Sequence, residues 1–381
     1  MKNFTFQNPV KIIFGKDTIA QLATELPKDA NIMVTFGAGS VKRNGVYDQV
    51  VKALEGFKYV EFWGIEPNPH YETLMKAVKQ AREEKVDYLL AVGGGSVIDG
   101  TKFISKAINF DGDCWDVVTD PKAESKPVPF ASVLTLAATG SEMNNGAVIT
   151  RAETQEKYAM YGAYPQFSIL DPQVLYSLPK FQIACGLTDS YIHVLEQYLT
   201  KPDQSPLMDR WAEGVLQTLI EVAPKVMEEK PDYDAMANFM LSATMALNGF
   251  INMGVEQDWA THMIGHELTA LTGLTHGVTL AIVMPRVMDV LRADKGEKII
   301  QYGERIFNIT SGTIDERIDE AIRRTEAFFN SLHIKTRLSD YEVGEDVIET
   351  IAGRLNERGW KLGENRNITG LVVKEILEKS K

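Results

Sequence analysis

The apolar positions of this chain follow one rhythm up to about residue 180 and a different one beyond it. In the first stretch, short runs rich in β-branched residues alternate with segments of helical period. Val10–Phe14 reads as a strand ended by Gly15, and Thr18–Glu25 as a short helix. Asn31–Phe36 is a second apolar run, closed by the turn Gly37-Ala38-Gly39-Ser40. Leu74–Lys85 is amphipathic, and Tyr88–Val92 then runs straight into Gly93-Gly94-Gly95-Ser96. Pro129–Leu136 is another buried-strand candidate, followed by Thr139-Gly140-Ser141. Strands alternating with helices predict a parallel, Rossmann-like doubly wound sheet, and near-continuous apolar strands fit a sheet covered on both faces.

After Pro179 the grammar changes. Leu207–Met227, Tyr233–Leu247, Gln257–Leu271 and Ile314–Leu332 carry apolar residues at three- and four-residue spacing and read as helices. The segment Leu187–Leu199 reads as helical too, and no strand pattern of comparable strength appears. The expectation is an α/β domain over 1–179 followed by an all-α domain over 180–381. The join falls at Leu178-Pro179-Lys180, because proline disfavours helix in the residue before it and permits one to begin after it. A cleft between two such domains is a common place for a ligand.

Composition narrows the partners. The 381 residues carry 40 Lys+Arg against 52 Asp+Glu, a net charge of −12, which argues against a nucleic-acid or anionic-membrane binder but leaves room for a local basic pocket. Two cysteines, Cys114 and Cys185, are too few for a disulfide framework and read as free thiols in a reducing compartment. The opening residues carry no apolar leader core, and runs such as Leu280–Met284 fall far short of a bilayer span, so a soluble cytoplasmic protein is expected.

The strongest chemical signal is a set of metal-ligand candidates. Of six histidines, three crowd into the stretch His262, His266, His276. Asp189 and His193 stand four residues apart, which places both on one helical face, and His262 and His266 repeat that spacing. One carboxylate with imidazoles suits a borderline divalent ion, Zn²⁺ or Fe²⁺. The metalloprotease pattern His-Glu-x-x-His is not met, since Glu267 follows His266 but position 270 is Ala270. The second signal is Gly93-Gly94-Gly95-Ser96-Val97-Ile98-Asp99 after a buried strand, where glycines let a phosphate approach the backbone and the amides opening the next helix face it. It is neither a P-loop nor Gly-x-Gly-x-x-Gly.

The run Ala260–Leu268, with His276-Gly277 downstream, resembles a signature of the iron-containing (group III) alcohol dehydrogenases. Ile169-Leu170-Asp171, Leu178-Pro179, Gly186-Leu187-Thr188-Asp189, His193 and Glu196 resemble their other signature, with Ser190 and Tyr191 as looser matches. Gly93–Asp99 and Thr139-Gly140-Ser141-Glu142 resemble the family's nucleotide-binding stretches, and the likeness extends along nearly the whole chain. The nearest branch is that of NADPH-dependent butanol dehydrogenases and broad-range aldehyde reductases.

The resemblance implies a dehydroquinate synthase-like architecture and a metal held by Asp189, His193, His262 and His276, with His266 close by but not a ligand. It implies a dinucleotide whose pyrophosphate lies over Gly94, Gly95, Ser96 and Asp99, with Thr135, Thr139 and Asn144 toward the nicotinamide and Lys157 toward a ribose. It also implies a homodimer through the N-terminal domain, and straight-chain aldehydes and primary alcohols as substrates. NAD-preferring relatives place an Asp after the second strand, where this chain has Gly37, followed by Ala38, Gly39, Ser40, Val41, Lys42 and Arg43. No carboxylate there repels a 2′-phosphate, while Ser40 and the nearby cations suit one, so NADP(H) is expected.

On this reading the metal polarises the carbonyl oxygen as hydride leaves the nicotinamide, and His266 exchanges the proton or positions substrate. Asp258, Trp259 and Phe250 are pocket candidates. The rivals are a non-redox dehydroquinate synthase, a glycerol dehydrogenase-like polyol oxidoreductase, and a non-redox metal- and nucleotide-binding regulator. The first needs basic residues near the metal, and His262–His276 contains none. The second relies on three protein ligands, where His193 supplies a fourth. The third would bind ATP without hydride transfer.

Overall fold

The computed structural model describes residues 1–230 and 232–381. The chain divides into two compact units, one of Gln7–Pro179 with Pro231–Thr244, the other of Met1–Phe6, Lys180–Lys230 and Met245–Lys381.

The first unit is built on six parallel strands, β1 (Lys11–Phe14), β2 (Asn31–Phe36), β3 (Lys58–Phe62), β4 (Tyr88–Gly93), β5 (Phe130–Leu134) and β8 (Phe167–Leu170), in the order β1-β8-β5-β4-β2-β3. Every residue of β2, β4, β5 and β8 is buried, which is why the apolar runs at Asn31, Tyr88 and Pro129 were nearly continuous. The edge strand β3 carries Lys58 and Glu61 and is only partly buried, so it left no apolar run to read. The connecting helices are α1 (Leu22–Glu25), α2 (Val46–Ala53), α3 (Tyr71–Glu83), α4 (Gly95–Ala107) and the single turn α5 (Asp116–Thr119). The helix expected at Thr18–Glu25 is a 3₁₀ turn, Thr18–Gln21, running into α1. An antiparallel hairpin, β6 (Gly146–Arg151) with β7 (Glu156–Tyr161), was not anticipated.

Strands β2 and β4 are direct neighbours, yet the chain leaves them in opposite directions, from β2 to β3 on one side and from β4 to β5 on the other. In open α/β sheets the crevice beyond the carboxyl ends of two such strands is where ligands bind. Phe36 and Gly93 end those strands, so Gly37–Ser40 and Gly94–Ser96 both lie at this switch point.

The second unit is helical: α6 (Lys180–Tyr198), α7 (Pro206–Val226), α9 (Ala260–Thr272), α10 (His276–Val290), α11 (Arg292–Phe307), α12 (Ile314–Ser331), α13 (Glu345–Glu357) and α14 (Gly370–Lys379). Helix α8 (Tyr233–Ala246) belongs over most of its length with the sheet. From Ile183 to Tyr198 every residue of α6 is buried, and so is every residue of α10 from Gly277 to Met288. Thus Leu280–Met284 lies within a core helix, and no described helix is long and apolar enough to cross a membrane. Cys114 and Cys185 are both buried and unbridged.

Helix α10 packs against both α6 and α9, and Gly277 is what lets its first turn close on α6. A Cβ at Gly277 would stand 2.7 Å from the Cys185 carbonyl oxygen and 2.9 Å from its Cα, backbone atoms with no room to yield. Gly277→Ala is therefore expected to cost about 1–3 kcal/mol through overpacking. Urea unfolding of the two chains measures this, and an unchanged midpoint would mean that the helices are not so tightly set.

Candidate metal centre and nucleotide cradle

Three buried helices bring the acidic and imidazole groups together. Helix α6 carries Asp189 and His193 one turn apart, α9 carries His262 and His266 likewise, and His276 is the first residue of α10. The Nε2 atoms of His193 and His262 each lie 3.5 Å from Asp189 Oδ1, and that of His276 lies 3.8 Å away. Donor atoms of Asp189, His262 and His276 all fall within 4.8 Å of one another. The His193 ring stacks on His262 with centroids 4.5 Å apart. Ligands about 2.0–2.1 Å from a tetrahedral ion sit roughly 3.3–3.4 Å from each other, close to the observed spacings. Asp189 Oδ1 and His262 Nε2 are buried without a hydrogen-bond partner, a costly arrangement that a shared cation would resolve. The donor set and its spacing therefore fit a divalent ion.

Glu196 sets the direction of His262. One of its oxygens accepts the His262 backbone N–H at 3.1 Å, and the other engages Nδ1, so Nε2 is turned toward Asp189. The Glu196 carbonyl in turn accepts the Asp258 N–H at 2.9 Å, while Asp258 Oδ1 accepts the N–H of Ala260, the first residue of α9, at 2.7 Å. Lys295, itself 3% exposed, locks Asp258 with an ion pair of 2.7 Å and reaches Glu364 and the Leu199 carbonyl at 2.8 Å each. Burial, outweighing Asp189, presses His193 down to about 4, which keeps its ring neutral with a lone pair at neutral pH. The same burial is overcome at His262, where Glu196 and Asp189 hold the imidazole up at about 9. Asp189 sits below the ordinary carboxylate range, because the three imidazoles outweigh its desolvation.

His266 is buried, with its ring centroid 5.1 Å from that of His276 and 6.2 Å from that of His262. Trp259 presents its edge to His193 and His262 at 6.3 and 5.5 Å. Of the other two pocket candidates, Asp258 accepts the Ala260 N–H as described above, and Phe250 stacks on Trp211 at 4.2 Å.

In the sheet unit, the glycine-rich turn is pressed against the loop that follows β5. A Cβ at Gly95 would stand 2.4 Å from Thr139 Oγ1, and one at Gly94 would stand 3.0 Å from Leu136 Cβ. Thr135 continues the β4–β5 pairing by donating its N–H to the Gly93 carbonyl at 3.0 Å. Gly39 turns with φ of 98°, and Ser40 opens a 3₁₀ turn, Ser40–Lys42, that exposes Ser40 and Lys42 and buries Val41. Gly37 hooks the chain after β3 by accepting the Gly64 N–H at 3.3 Å. Below this surface, Asp99 accepts from Ser141 Oγ at 2.6 Å and from the Val148 N–H at 2.9 Å. Lys102, fully buried, donates to Ser141 Oγ, Asn144 Oδ1 and the Gly146 carbonyl at 2.7–2.9 Å. Asp99 and Asn144 thus brace the loop from within. Lys157 donates to Asn68 Oδ1 at 2.9 Å, and the Asn68 N–H reaches Ser96 Oγ at 3.3 Å, which couples the hairpin lysine to the glycine-rich turn.

Comparison with known proteins shows the family. Residues 9–172 match the family model described as iron-containing alcohol dehydrogenase, and residues 183–381 match that of the Fe-containing alcohol dehydrogenase family, C-terminal. The chain belongs to the iron-containing alcohol dehydrogenase family. It is 51% identical to the NADPH-dependent aldehyde reductase YqhD of Escherichia coli over 99% of both chains, and 38% identical to the NADH-dependent butanol dehydrogenase A of Clostridium acetobutylicum over all of both. The solved structure of NADH-dependent butanol dehydrogenase A from Thermotoga maritima superposes with a TM-score of 0.95 at 36% identity, covering 100% of this chain and 99% of that one. As a member of this family the chain is an oxidoreductase with a metal and a nucleotide cofactor, and the resemblance read from its motifs holds.

Two groups take parts that the motifs did not assign to them. Glu196 stands seven residues after Asp189 and three after His193, on the same face of α6. Lys102 follows Asp99 at i+3, but nothing in the sequence marks it as the buried hub of its loop. Burial, countered by Asp99 and Glu142, lowers its pKa from 10.5 to about 8. Between about pH 8 and 10.5 the unfolded chain therefore binds more protons, and Lys102 contributes more to stability as pH rises. Urea unfolding of the native chain and of Lys102→Met at pH 7 and 9.5 should give a difference that widens at the higher pH. A difference that narrows would contradict this.

Proposed function

We propose that the chain is an NADP(H)-linked aldehyde reductase and alcohol dehydrogenase acting on small straight-chain aldehydes and primary alcohols, working as a cytoplasmic homodimer. The observation that carries the reading is the convergence of three imidazole Nε2 atoms on Asp189 Oδ1 at 3.5–3.8 Å. Asp189, His193, His262 and His276 would hold Fe²⁺ or Zn²⁺, since one carboxylate with three imidazoles suits either ion. When bound, the ion supplies Lewis acidity to the carbonyl or alcohol oxygen, and the nicotinamide supplies or receives hydride.

The chain's own residues do the rest. Glu196 fixes the ring of His262, and Asp189 supplies the negative charge of the site. His266, beside His276 but outside the convergent set, exchanges the substrate proton with solvent at an imidazole nitrogen. Gly94, Gly95 and Ser96 offer backbone amides to the pyrophosphate at the start of α4, where the helix dipole favours an anion. Thr135 and Thr139 stand toward the nicotinamide and Lys157 toward its ribose, on a loop stiffened by Asp99 and Asn144. Gly37, Gly39 and Ser40 receive the adenosine ribose. The named relatives include both NADPH- and NADH-dependent enzymes, so the choice falls to this chain's own residues. With Gly37 in place of a carboxylate, and with Ser40, Lys42 and Arg43 exposed beyond it, the turn suits a 2′-phosphate.

Purified protein should oxidise NADPH with butanal, at a kcat/KM above that with NADH, and lose activity to a chelator reversibly. Absence of turnover with any aldehyde or alcohol would remove this reading. His276→Ala should lose bound metal while keeping the fold, judged by metal analysis and circular dichroism. His266→Gln should keep its metal but lower kcat by about 10²-fold, the scale of a lost proton-transfer group. A His266→Gln enzyme with native kcat would leave that residue no part in proton exchange.

A further inference from the structure

Beyond the glycine turn, the carboxyl edge of β2 and β3 carries an aromatic platform that the mechanism does not use. Phe36 ends β2 and is 1% exposed, while Trp63 directly follows β3. The register Thr35↔Phe62 makes them neighbours, and their rings stack at 4.1 Å and 13°. The backbone beyond continues the pairing, with the Ile65 N–H donating to the Phe36 carbonyl at 3.1 Å. Tyr47 of α2 closes the platform, 5.6 Å from Trp63. Glu61 fixes both outer rings by accepting the Trp63 indole N–H at 2.7 Å and the Tyr47 hydroxyl at 2.9 Å.

Over this platform lies Lys42, two residues beyond Ser40 on the turn that follows β2. Its Nζ stands 4.0 Å from the centre of the Trp63 ring and 5.2 Å from that of Tyr47. An exposed lysine ordinarily samples many rotamers and loses that freedom when it grips a ligand. Held on an aromatic face, it has already lost part of it. An ion pair would also hold the ammonium, but it would neutralise the charge and occupy its donors. A ring face attracts the cation through its quadrupole and leaves both available.

We propose that Trp63 and Tyr47 seat Lys42 as the cation that receives the adenosine 2′-phosphate, which makes Trp63 a positioning residue for the choice of NADP(H). This rests on the cofactor reading above and adds a residue whose contribution can be separated from it. Trp63 itself need not touch the phosphate. It acts by holding Lys42 at the turn where Gly37, Gly39 and Ser40 receive the ribose.

The test uses two fragments that carry no hydride, adenosine 2′,5′-bisphosphate and 5′-AMP, with binding to the full chain measured by calorimetry. The native chain binds the bisphosphate more tightly. Trp63→Leu weakens the bisphosphate by about two- to five-fold, the scale of an exposed cation–π contact, and leaves 5′-AMP unchanged. Trp63→Phe, which keeps the ring face, restores most of the loss and guards against a merely structural effect. In a Lys42→Met background, Trp63→Leu adds nothing further, because the two residues act as one unit. The KM for NADPH rises in Trp63→Leu while that for NADH does not. Equal weakening of both fragments would make Trp63 an adenine-stacking surface and overturn the proposal, as would no weakening of either. A native chain that binds 5′-AMP as well as the bisphosphate would overturn the cofactor reading too, and is distinct from a Trp63 variant that fails to respond.

Discussion

The carboxylate of Glu196 grips His262 twice, at its backbone N–H and at ring Nδ1, and the helical unit is arranged around that grip. A histidine presents Nε2 in a defined direction only when its other nitrogen is committed, and Glu196 supplies the commitment from inside a helix buried on every side. Because Asp189, His193 and Glu196 share one face of α6, the same helix provides the acid, one imidazole and the residue that aims another. The N-terminus of α9 is then held by Asp258, which is held by Lys295, so a buried lysine sets where an imidazole points without touching it. Gly277 completes the set by letting α10 come close enough to α6 for His276 to reach Asp189.

The sheet unit solves a different problem with similar means. A phosphate can approach backbone amides only where side chains are absent, and Gly94 and Gly95 stand where a Cβ would strike Leu136 or Thr139. Those glycines therefore serve packing, and on the proposed reading they serve access at the same turn. The loop they press against is itself held from beneath by Lys102, whose ammonium joins Ser141, Asn144 and Gly146. Opposite signs of charge, Asp99 and Lys102, thus stand under the cradle and stiffen it. The exposed cations Lys42 and Arg43 follow the turn after β2, so a chain of net charge −12 still places two positive side chains together there.

How far this was legible follows from physical signatures. Strands β2, β4 and β5 were readable because burial on both faces makes a strand continuously apolar. Strand β3 and the β6–β7 hairpin were not, since half-exposed strands bearing Lys58, Glu61 or Arg151 imitate loops. Helix α10 was missed for the opposite reason. A helix apolar on every side has no period to detect, and its run Leu280–Met284 invited only a check against membrane length. The pairs Asp189–His193 and His262–His266 were visible as i, i+4 spacings within one helix. That α6, α9 and α10 bring the imidazoles of His193, His262 and His276 within 4 Å of Asp189 is tertiary, and so are the parts of Lys295 and Trp63. No local pattern distinguishes them from ordinary surface residues.

The central claim is that α6, α9 and α10 form one metal centre aimed by Glu196. It is tested most directly by anomalous diffraction from crystals of the purified protein, recorded on both sides of the iron and zinc absorption edges. The account predicts one strong peak bounded by Asp189 Oδ1 and the Nε2 atoms of His193, His262 and His276, weakened in Glu196→Gln crystals. A protein active in aldehyde reduction with no peak at that position, or with its metal held by other residues, would contradict it.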